Sequence, residues 1–521
     1  MFRYVLSVAW GLLRCSIVWA ATLAVAQKCP QTCHIETSCA GTDQPLETES
    51  LASSDFLSEI LTEVDTDITS ELNLDPLGML VVWSTFGQAI FQHRISSVSH
   101  DVRNFTLNLF NHWVIKTVVE NDSIKLGKNL HAMADYANRG KESMAFKQAC
   151  LIYLENLFVY SVIDDERKAT TAGVVGISKA RQRWSQSEGN PRLLFSHTPE
   201  AHVLVRQHSL GVAGRYKTPF VEMGFFDRRY DYATPNQRGH WTDVEKLASR
   251  SRPLAKLHKL TVQHMTSLVS GNARKPSSAF RDIDRSLRAA FVNAFKSPKI
   301  VGEYSRDFWL ATSKLDQGAA GALGQVINKD ILRVGSSGGT GLPITTAEAF
   351  NEAKNIQGLG EDEQVKLKQV QAIEPFLGEM DLLFTLALSA REQTLGDIQQ
   401  KWAGLGRDGN TLPQLRPDTN QSRSLLGSTQ GLAKSRLQRL LGCAESGDIT
   451  EQVSRVIDLH SDIMSRRGQS PWVRKQEEGT IHTDVRVRDI PHREDRPVGS
   501  WIHEYYLPQF RNLLSGFGGQ T

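Results

Sequence analysis

The chain contains few cysteines, and most of them lie at one end. Four of the six cysteines precede position 40, and only Cys150 and Cys443 occur in the rest of the 521 residues. A small secreted scaffold that depends on disulfides distributes paired cysteines across its fold. A disulfide framework is therefore excluded as the main source of stability. Cys150 lies in an apolar stretch, where we expect it to be a small core residue.

Sequence motifs typical of metal sites are also lacking. None of the fifteen histidines belongs to an H-E-x-x-H pair. Cys29, Cys33 and Cys39 are close together, but their spacing matches no common zinc pattern. We therefore expect incidental thiols in that segment, and neither a metal nor a cofactor in the protein.

One segment matches a hydrolase pattern without its surroundings. Gly335-Ser336-Ser337-Gly338-Gly339 fits G-x-S-x-G, with Asp458 and His460 among the downstream candidate partners. A nucleophile elbow needs a strand before the serine and a helix directly after it. Asp330 to Val334 could form that strand, but Thr-Gly-Leu-Pro delays the helix. A serine hydrolase that uses Ser337 is therefore the last of the alternatives.

Charge is distributed unevenly along the chain. The segment from Cys29 to His93 has eleven carboxylates and no Lys or Arg, whereas Leu247 to Lys299 has eleven Lys or Arg and two Asp. One interpretation is a solvated face on each segment. The other is a basic surface for a polyanion, which the acidic segment could mask or mimic.

The N-terminus has the pattern of an export signal. Arg3 and Arg14 precede an apolar stretch, and Ala24-Val25-Ala26 presents small residues where a signal peptidase cuts. Cleavage after Ala26 would export the protein, and an uncleaved segment 4–26 would anchor it in a membrane. If the segment is an upstream extension, the working part of the protein stays inside the cell. However, the sequon Asn104-Phe105-Thr106 lies in an apolar predicted helix, where a glycan has no room. We therefore favour a cytoplasmic protein and keep export and anchoring as alternatives.

Helical periodicity dominates, so the predicted fold is mainly α and multi-domain. A chain of 521 residues is too long for one core. A small mixed α/β insert is expected around 190–235, with 202–205 and 219–221 as its strand candidates, and one late strand near 480–490. The predicted segments are a signal-like or anchor-like stretch at 1–26, a flexible acidic linker at 27–53, an N-terminal helical domain at 54–175, a basic central region at 176–340 and a C-terminal helical domain at 345–521.

A predicted helix in the central region is the first candidate contact for nucleic acid. Within Ser278 to Lys296, Arg281, Arg285 and Arg288 have the spacing i, i+4, i+7 and would form one stripe. A phosphate backbone would relieve the repulsion among the three guanidiniums. Asp282 and Asp284 could relieve it too, so a solvated or domain-contacting face is the alternative.

A glycine-containing segment is the second candidate. Gly211 and Gly214 form a Gly-x-x-Gly pattern that would let the backbone approach a phosphate, since no Cβ intervenes. Nearby cations would supply charge, and the interleaved aromatic residues could stack on bases. The alternative is a tight turn followed by half-buried strands whose aromatic residues form core. The cations in question are Arg215, Lys217, Arg228 and Arg229.

The run from Leu210 to Phe220 also resembles part of the accessory proteins encoded beside nucleases and helicases in bacterial antiviral defence loci. The resemblance names no family and assigns no residue a function. From the uneven charge we expect a non-enzymatic subunit of a multi-protein complex, such as an accessory protein of a bacterial defence complex, that binds nucleic acid or an acidic protein partner through the central basic region. The alternatives are an interaction scaffold with no nucleic-acid role and an exported or membrane-anchored envelope protein.

Overall fold

A computed structural model describes residues 75–97, 101–233, 235–336, 341–476 and 479–518. The predictions for the export signal, the linker, the first cysteine cluster, the acidic segment before Asp75 and Ser337 lie outside the described residues. The described residues belong to one compact unit. The division into domains at 54–175, 176–340 and 345–521 stays a prediction.

The predicted mainly α class is confirmed, because 22 helices account for most of the described residues. The helices are α1 (Leu80–Phe91), α2 (Val102–Glu120), α3 (Lys128–His131), α4 (Ala134–Ala137), α5 (Met144–Asp164), α6 (Ile177–Gln186), α7 (Gln207–Leu210), α8 (Val212–Arg215), α9 (Lys217–Glu222), α10 (Pro235–Arg250), α11 (Arg252–Ser270), α12 (Arg285–Ala294), α13 (Pro298–Ser313), α14 (Gly318–Ser336), α15 (Thr346–Ala353), α16 (Glu361–Ala387), α17 (Leu395–Gly404), α18 (Thr411–Leu415), α19 (Thr419–Gly427), α20 (Gly431–Cys443), α21 (Ile449–Arg466) and α22 (Leu507–Gly516). None of the helices within the described ranges combines the length and apolar character that crossing a bilayer requires.

Strands are short and form two small antiparallel sheets. The strands are β1 (Arg192–Leu194), β2 (Ser277–Ala279), β3 (Glu392–Thr394), β4 (Val473–Lys475) and β5 (Thr480–Thr483). β1 pairs with β2 so that Leu193 lies opposite Ser278. In the second sheet the order is β3-β5-β4, with Ile481 opposite Gln393 on one side and Lys475 on the other. The late strand predicted near 480–490 is thus present as β5, and it ends at Thr483.

The two strand candidates in the 190–235 insert are wrong. Residues 202–205 form a bend and turn, and residues 219–221 lie inside α9. In both places the apolar residues that suggested a strand pack into the core from a turn or a helix, since Val203 and Phe220 are buried. The insert consists of short helices joined by turns and loops, and β1 is the one strand among its described residues.

Two helices in the N-terminal half have almost no solvent-facing side. Nearly every residue of α2 and α5 is buried. The two helices pack against each other, and α6, α8, α11, α12 and α13 surround them.

The start of α2 is fixed by a charged pair. Asp101 caps α2 by accepting a hydrogen bond from the Arg103 amide, and its carboxylate also pairs with the Arg103 guanidinium. Arg103 in turn donates to the carbonyls of Thr170 and Ala172. Asn104 of the sequon is only 4% exposed, so no glycan can be attached there in the folded chain.

The C-terminal half is organised around α16. This helix contacts α1, α14, α15 and α21, and it carries two buried carboxylates. Glu374 accepts hydrogen bonds from the Trp83 indole at 2.7 Å, the Tyr505 hydroxyl at 2.7 Å and two backbone amides at 502 and 503. Glu379 pairs with Arg407 at 2.9 Å, and both side chains have at most 1% exposure. Because these donors come from distant parts of the sequence, α16 ties α1 and the C-terminal segment into one core.

The buried helix α2 carries a stripe of polar side chains that differ in how well they are hydrogen-bonded. Asn104, Asn108, Asn111 and His112 lie within about 100° of its circumference and are at most 4% exposed. The Asn104 amide donates to the Gly173 carbonyl at 3.1 Å. The side-chain Oδ1 and Nδ2 atoms of Asn108 and Asn111 form no hydrogen bonds with the described residues. Unpaired polar atoms in a core are costly, so these two residues stabilise the fold little.

We predict that Asn104→Ala lowers the free energy of unfolding by about 1–3 kcal/mol more than Asn108→Ala does. Both changes delete the same volume from the same helix face, and only the first removes a hydrogen bond. Urea denaturation of the two variants beside the parent protein measures the difference. Equal losses would show that Asn108 has bonding partners of comparable strength.

Candidate nucleic-acid interface

Helix α11 places three cations in one row on the surface of the central region. Arg252, Lys256 and Lys259 are spaced i, i+4, i+7 and are all exposed. The row covers about 10 Å along the helix axis. We call these three residues the basic row.

The apolar side of α11 fixes the orientation of the basic row. Leu254, Leu257, Met265 and Val269 are buried on the opposite face, where α11 packs against α2 and α12. His258 stacks on Trp113 with ring centroids 3.4 Å apart. Burial lowers the pKa of His258 to about 4, so this ring is neutral near pH 7 and belongs to the core side. The helix therefore cannot rotate to hide its cations.

No negative charge on α11 compensates the row. The helix has 19 residues and contains neither Asp nor Glu. Among the described residues, none of the three cations forms an ion pair with a carboxylate. Arg252 stands at the first position of the helix, where the helix dipole disfavours a positive charge. The arrangement leaves the charge of the row available to an external anion.

The predicted arginine stripe is distributed over different structures. Instead of one helix from Ser278 to Lys296, the segment forms β2, a 3₁₀ turn at Phe280–Asp282 and then α12. The single-helix prediction is wrong because Asp284 caps α12 by accepting the Ser286 amide, which starts the helix after Arg281. The i, i+4, i+7 relation therefore does not apply.

The three arginines of that stripe also have different surroundings. Arg281 is exposed, and its guanidinium donates to the Glu188 carbonyl at 2.9 Å. Arg285 is exposed. Arg288 pairs with Asp164 at 2.8 Å, has 15% side-chain exposure and lies over the Phe280 ring. Two of the three predicted contacts are therefore on the surface, and the charge of the third is already compensated.

The Gly-x-x-Gly segment contacts a carboxyl group that belongs to the protein itself. Glu155 on α5 accepts the Ala213 amide at 2.7 Å and the Gln207 side-chain amide at 3.1 Å. A Cβ at Gly211 would collide with this carboxylate, and one at Gly214 would collide with the carbonyls of residues 208 and 209. The glycines thus allow close packing inside the protein. A phosphate at this turn would have to displace Glu155.

The cations that follow the two glycines differ in their exposure to solvent. Arg215 is half-buried and donates to the Leu210 carbonyl, and Lys217 is buried with its ammonium 4.8 Å from the centroid of the Tyr230 ring. Arg228 and Arg229 are exposed on the turn before Tyr230. The contact of nucleic acid with this segment stays a prediction.

The strand needed for the hydrolase alternative is absent at its predicted place. Asp330 to Val334 lie inside α14, which continues to Ser336. His460, one candidate partner, is fully buried, and its Nδ1 donates to the Pro76 carbonyl at 2.9 Å. Its Nε2 accepts a hydrogen bond from the Trp472 amide at 2.8 Å. Within the part of the chain that the structure describes, no group of three His, Cys, Asp or Glu side chains is placed to hold a metal. Cys150 is buried and free, as expected for a core residue.

The chain matches no protein-family model, and neither a curated protein nor a solved structure is significantly similar to it. Its function has to be inferred from its own residues.

The cation-rich stretch from Leu247 to Lys299 contains the basic row, which was predicted as support for the arginine stripe and not as a helical row of its own, and Glu155 was given no role. The spacing of Arg252, Lys256 and Lys259 was available as a signal, because an i, i+4, i+7 row without acids is readable from the sequence. Glu155 gave no such signal. Its contact with residues 207–213 joins segments more than 50 positions apart, which only the fold brings together.

The contribution of Glu155 to the free energy of unfolding should depend on pH. Burial, only partly offset by the donated hydrogen bonds, raises its pKa from 4.5 to about 7. The folded chain therefore holds a proton that the unfolded chain loses near pH 4.5, and the resulting stability is present below pH 4.5 and lost as the pH rises to about 7. We expect the free energy of unfolding of the parent protein, relative to that of Glu155→Gln, to fall by about 3 kcal/mol as the pH rises across this range.

Urea unfolding at several pH values between 4.5 and 7 measures this change. Glu245→Gln, which alters an exposed carboxylate on α10, is the control. A difference that is constant with pH in the Glu155→Gln variant would contradict the assignment.

Proposed function

We propose that the protein binds the phosphate backbone of nucleic acid through the basic row, as a non-enzymatic subunit of a larger complex. The observation that carries the proposal is the exposed row of Arg252, Lys256 and Lys259 on a helix without acids. Phosphate contacts from lysine and arginine supply most of the affinity in sequence-independent binding. Arg281 and Arg285, which are exposed on the following segment, are secondary contacts in this proposal.

The proposed interface contacts the phosphate backbone and makes no contacts with the bases. The side chains of the row are long, flexible cations, and the aromatic residues near Gly211 that could have stacked on bases are instead core. Phe220, Phe226, Tyr230 and Tyr232 have at most 3% exposure. Binding should therefore depend on charge and salt and little on sequence. The proposal includes a cytoplasmic location and an accessory role in a defence complex. Both depend on nucleic acid being the ligand.

The main test neutralises the basic row. We expect Arg252→Gln/Lys256→Gln/Lys259→Gln to weaken binding to a 30-base-pair duplex of arbitrary sequence, and to reduce the slope of log affinity against log salt by about 2 to 3. Fluorescence anisotropy over a salt series measures both quantities. The variant Arg281→Gln/Arg285→Gln/Arg288→Gln should lose less, because Arg288 already pairs with Asp164.

The control removes the same formal charge elsewhere. Lys168, Arg181 and Lys246 are exposed but already paired with Asp165, Glu166 and Asp243. Changing these three to Gln should leave the salt slope nearly unchanged. If the control weakens binding as much as the row variant does, only net charge matters. If the parent protein binds no duplex or single strand at low salt, the nucleic-acid proposal fails and the acidic-protein or scaffold alternatives take its place.

The acidic segment gives an independent prediction. Its carboxylates carry the charge that a basic surface attracts, so it would compete with nucleic acid if it reaches the row. We expect a chain that lacks residues 27–74 to bind the duplex several-fold more tightly at low salt, measured by the same anisotropy assay. Asp75 is retained because it accepts the Met79 amide at 2.8 Å. Unchanged affinity would show that the segment does not cover the row.

A further inference from the structure

A cavity of about 400 Å³ lies beside the Arg228-Arg229 turn, and none of the residues that line it belongs to α11. Its walls come from the 3₁₀ turn at Gly140–Glu142, the start of α5 and the turn at residues 227–231. Six of the side chains that line it are charged, with equal numbers of each sign. They are Arg139, Lys147 and Arg229 on the positive side, and Glu142, Asp227 and Asp231 on the negative side.

One of these charges is fixed and nearly buried. Lys147 has 4% side-chain exposure, and its ammonium donates to the Glu142 carboxylate at 2.9 Å and to the Tyr230 carbonyl at 3.0 Å. The same ammonium lies 5.4 Å from the centroid of the Tyr232 ring. Behind it, the Tyr232 hydroxyl and His112 Nδ1 are 2.8 Å apart in the core. This side of the cavity is therefore rigid.

Besides Lys147 and its partner Glu142, four charged side chains line the cavity, and they form no ion pairs with one another. Neither Arg139 nor Arg229 forms an ion pair with a described carboxylate within 4 Å, although Asp227 and Asp231 line the same cavity. Asp227 uses one carboxylate oxygen, Oδ1, for the amides of residues 229 and 231, and Asp231 uses its Oδ1 for the Ala233 amide. These turn hydrogen bonds hold the carboxylates in place and leave their Oδ2 atoms available.

We propose that this cavity binds a small zwitterion, with an α-amino acid as the ligand class. A ligand carboxylate can accept paired hydrogen bonds from a guanidinium of Arg139 or Arg229. A ligand ammonium can donate to the free oxygens of Asp227 and Asp231. Because Lys147 and Glu142 pair with each other, two cations and two carboxylates remain. A ligand with one sign of charge would be repelled by two of these four groups, whereas each charge of a zwitterion can lie beside the two groups of opposite sign. The volume is at the small end of the range for ligand sites, which fits a single amino acid.

The first experiment asks whether both ligand charges are needed. Isothermal titration calorimetry of the full chain with each of the twenty L-α-amino acids should identify at least one that binds. Its N-acetyl derivative, which lacks the ammonium, and its amide, which lacks the carboxylate, should each bind about 10-fold more weakly or worse. No binding by any amino acid at millimolar concentration would overturn the proposal. Equal binding of the N-acetyl derivative would overturn it as well, because the site would then be a simple anion site.

The second experiment locates the ligand by substitutions at Asp231 and at two adjacent arginines. Arg229→Gln and Asp231→Asn should each reduce the affinity about 10-fold or more, and Asn at position 231 can still accept the Ala233 amide. Arg228→Gln is the matched control, since Arg228 is an equally exposed neighbour that does not line the cavity. An equal loss in the Arg228 variant would place the ligand elsewhere. Duplex binding by the basic row is measured separately, so the two proposals can fail independently.

Discussion

The burial of α2 and α5 on all sides is the constraint on which the N-terminal half of the fold depends. A helix without a solvent face requires neighbours around its whole circumference, and each neighbour must turn its own apolar stripe inward. For α11 this requirement decides the direction of the basic row. Leu257 and Met265 pack inward, and Lys256 and Lys259 therefore point to water. The exposed charge of the proposed interface is thus a consequence of core packing.

The interior uses its own carboxylates to satisfy donors that would otherwise be unpaired. Glu155 accepts an amide at the start of α8, Glu374 accepts four donors, and Glu379 pairs with Arg407. Each of these carboxylates joins segments far apart in the sequence, and removing one would leave buried donors without partners, at a cost of several kcal/mol. Binding features that look available in the sequence, such as the Gly-x-x-Gly turn, are thereby occupied from within.

This explains which features were predictable. The mainly α class follows from helical periodicity in the sequence, and the structure confirms it. The strands at 202–205 and 219–221 were wrong because a short apolar run does not distinguish a strand from a buried turn or helix. β1 and β2 have three residues each and pair across more than 80 positions, so no local pattern indicates them.

The candidate sites were harder to predict because charge in a sequence does not say where a carboxylate lies in space. Arg288 matched its neighbours in spacing, but Asp164, from a distant helix, pairs with it. Arg229 looked like one more phosphate contact, but the fold places it in a cavity with Asp227 and Asp231. The basic row differs from both because its helix has no acid of its own and its cations lack a described ion-pair partner. Local absence of negative charge is therefore a better guide to an external anion than local abundance of positive charge.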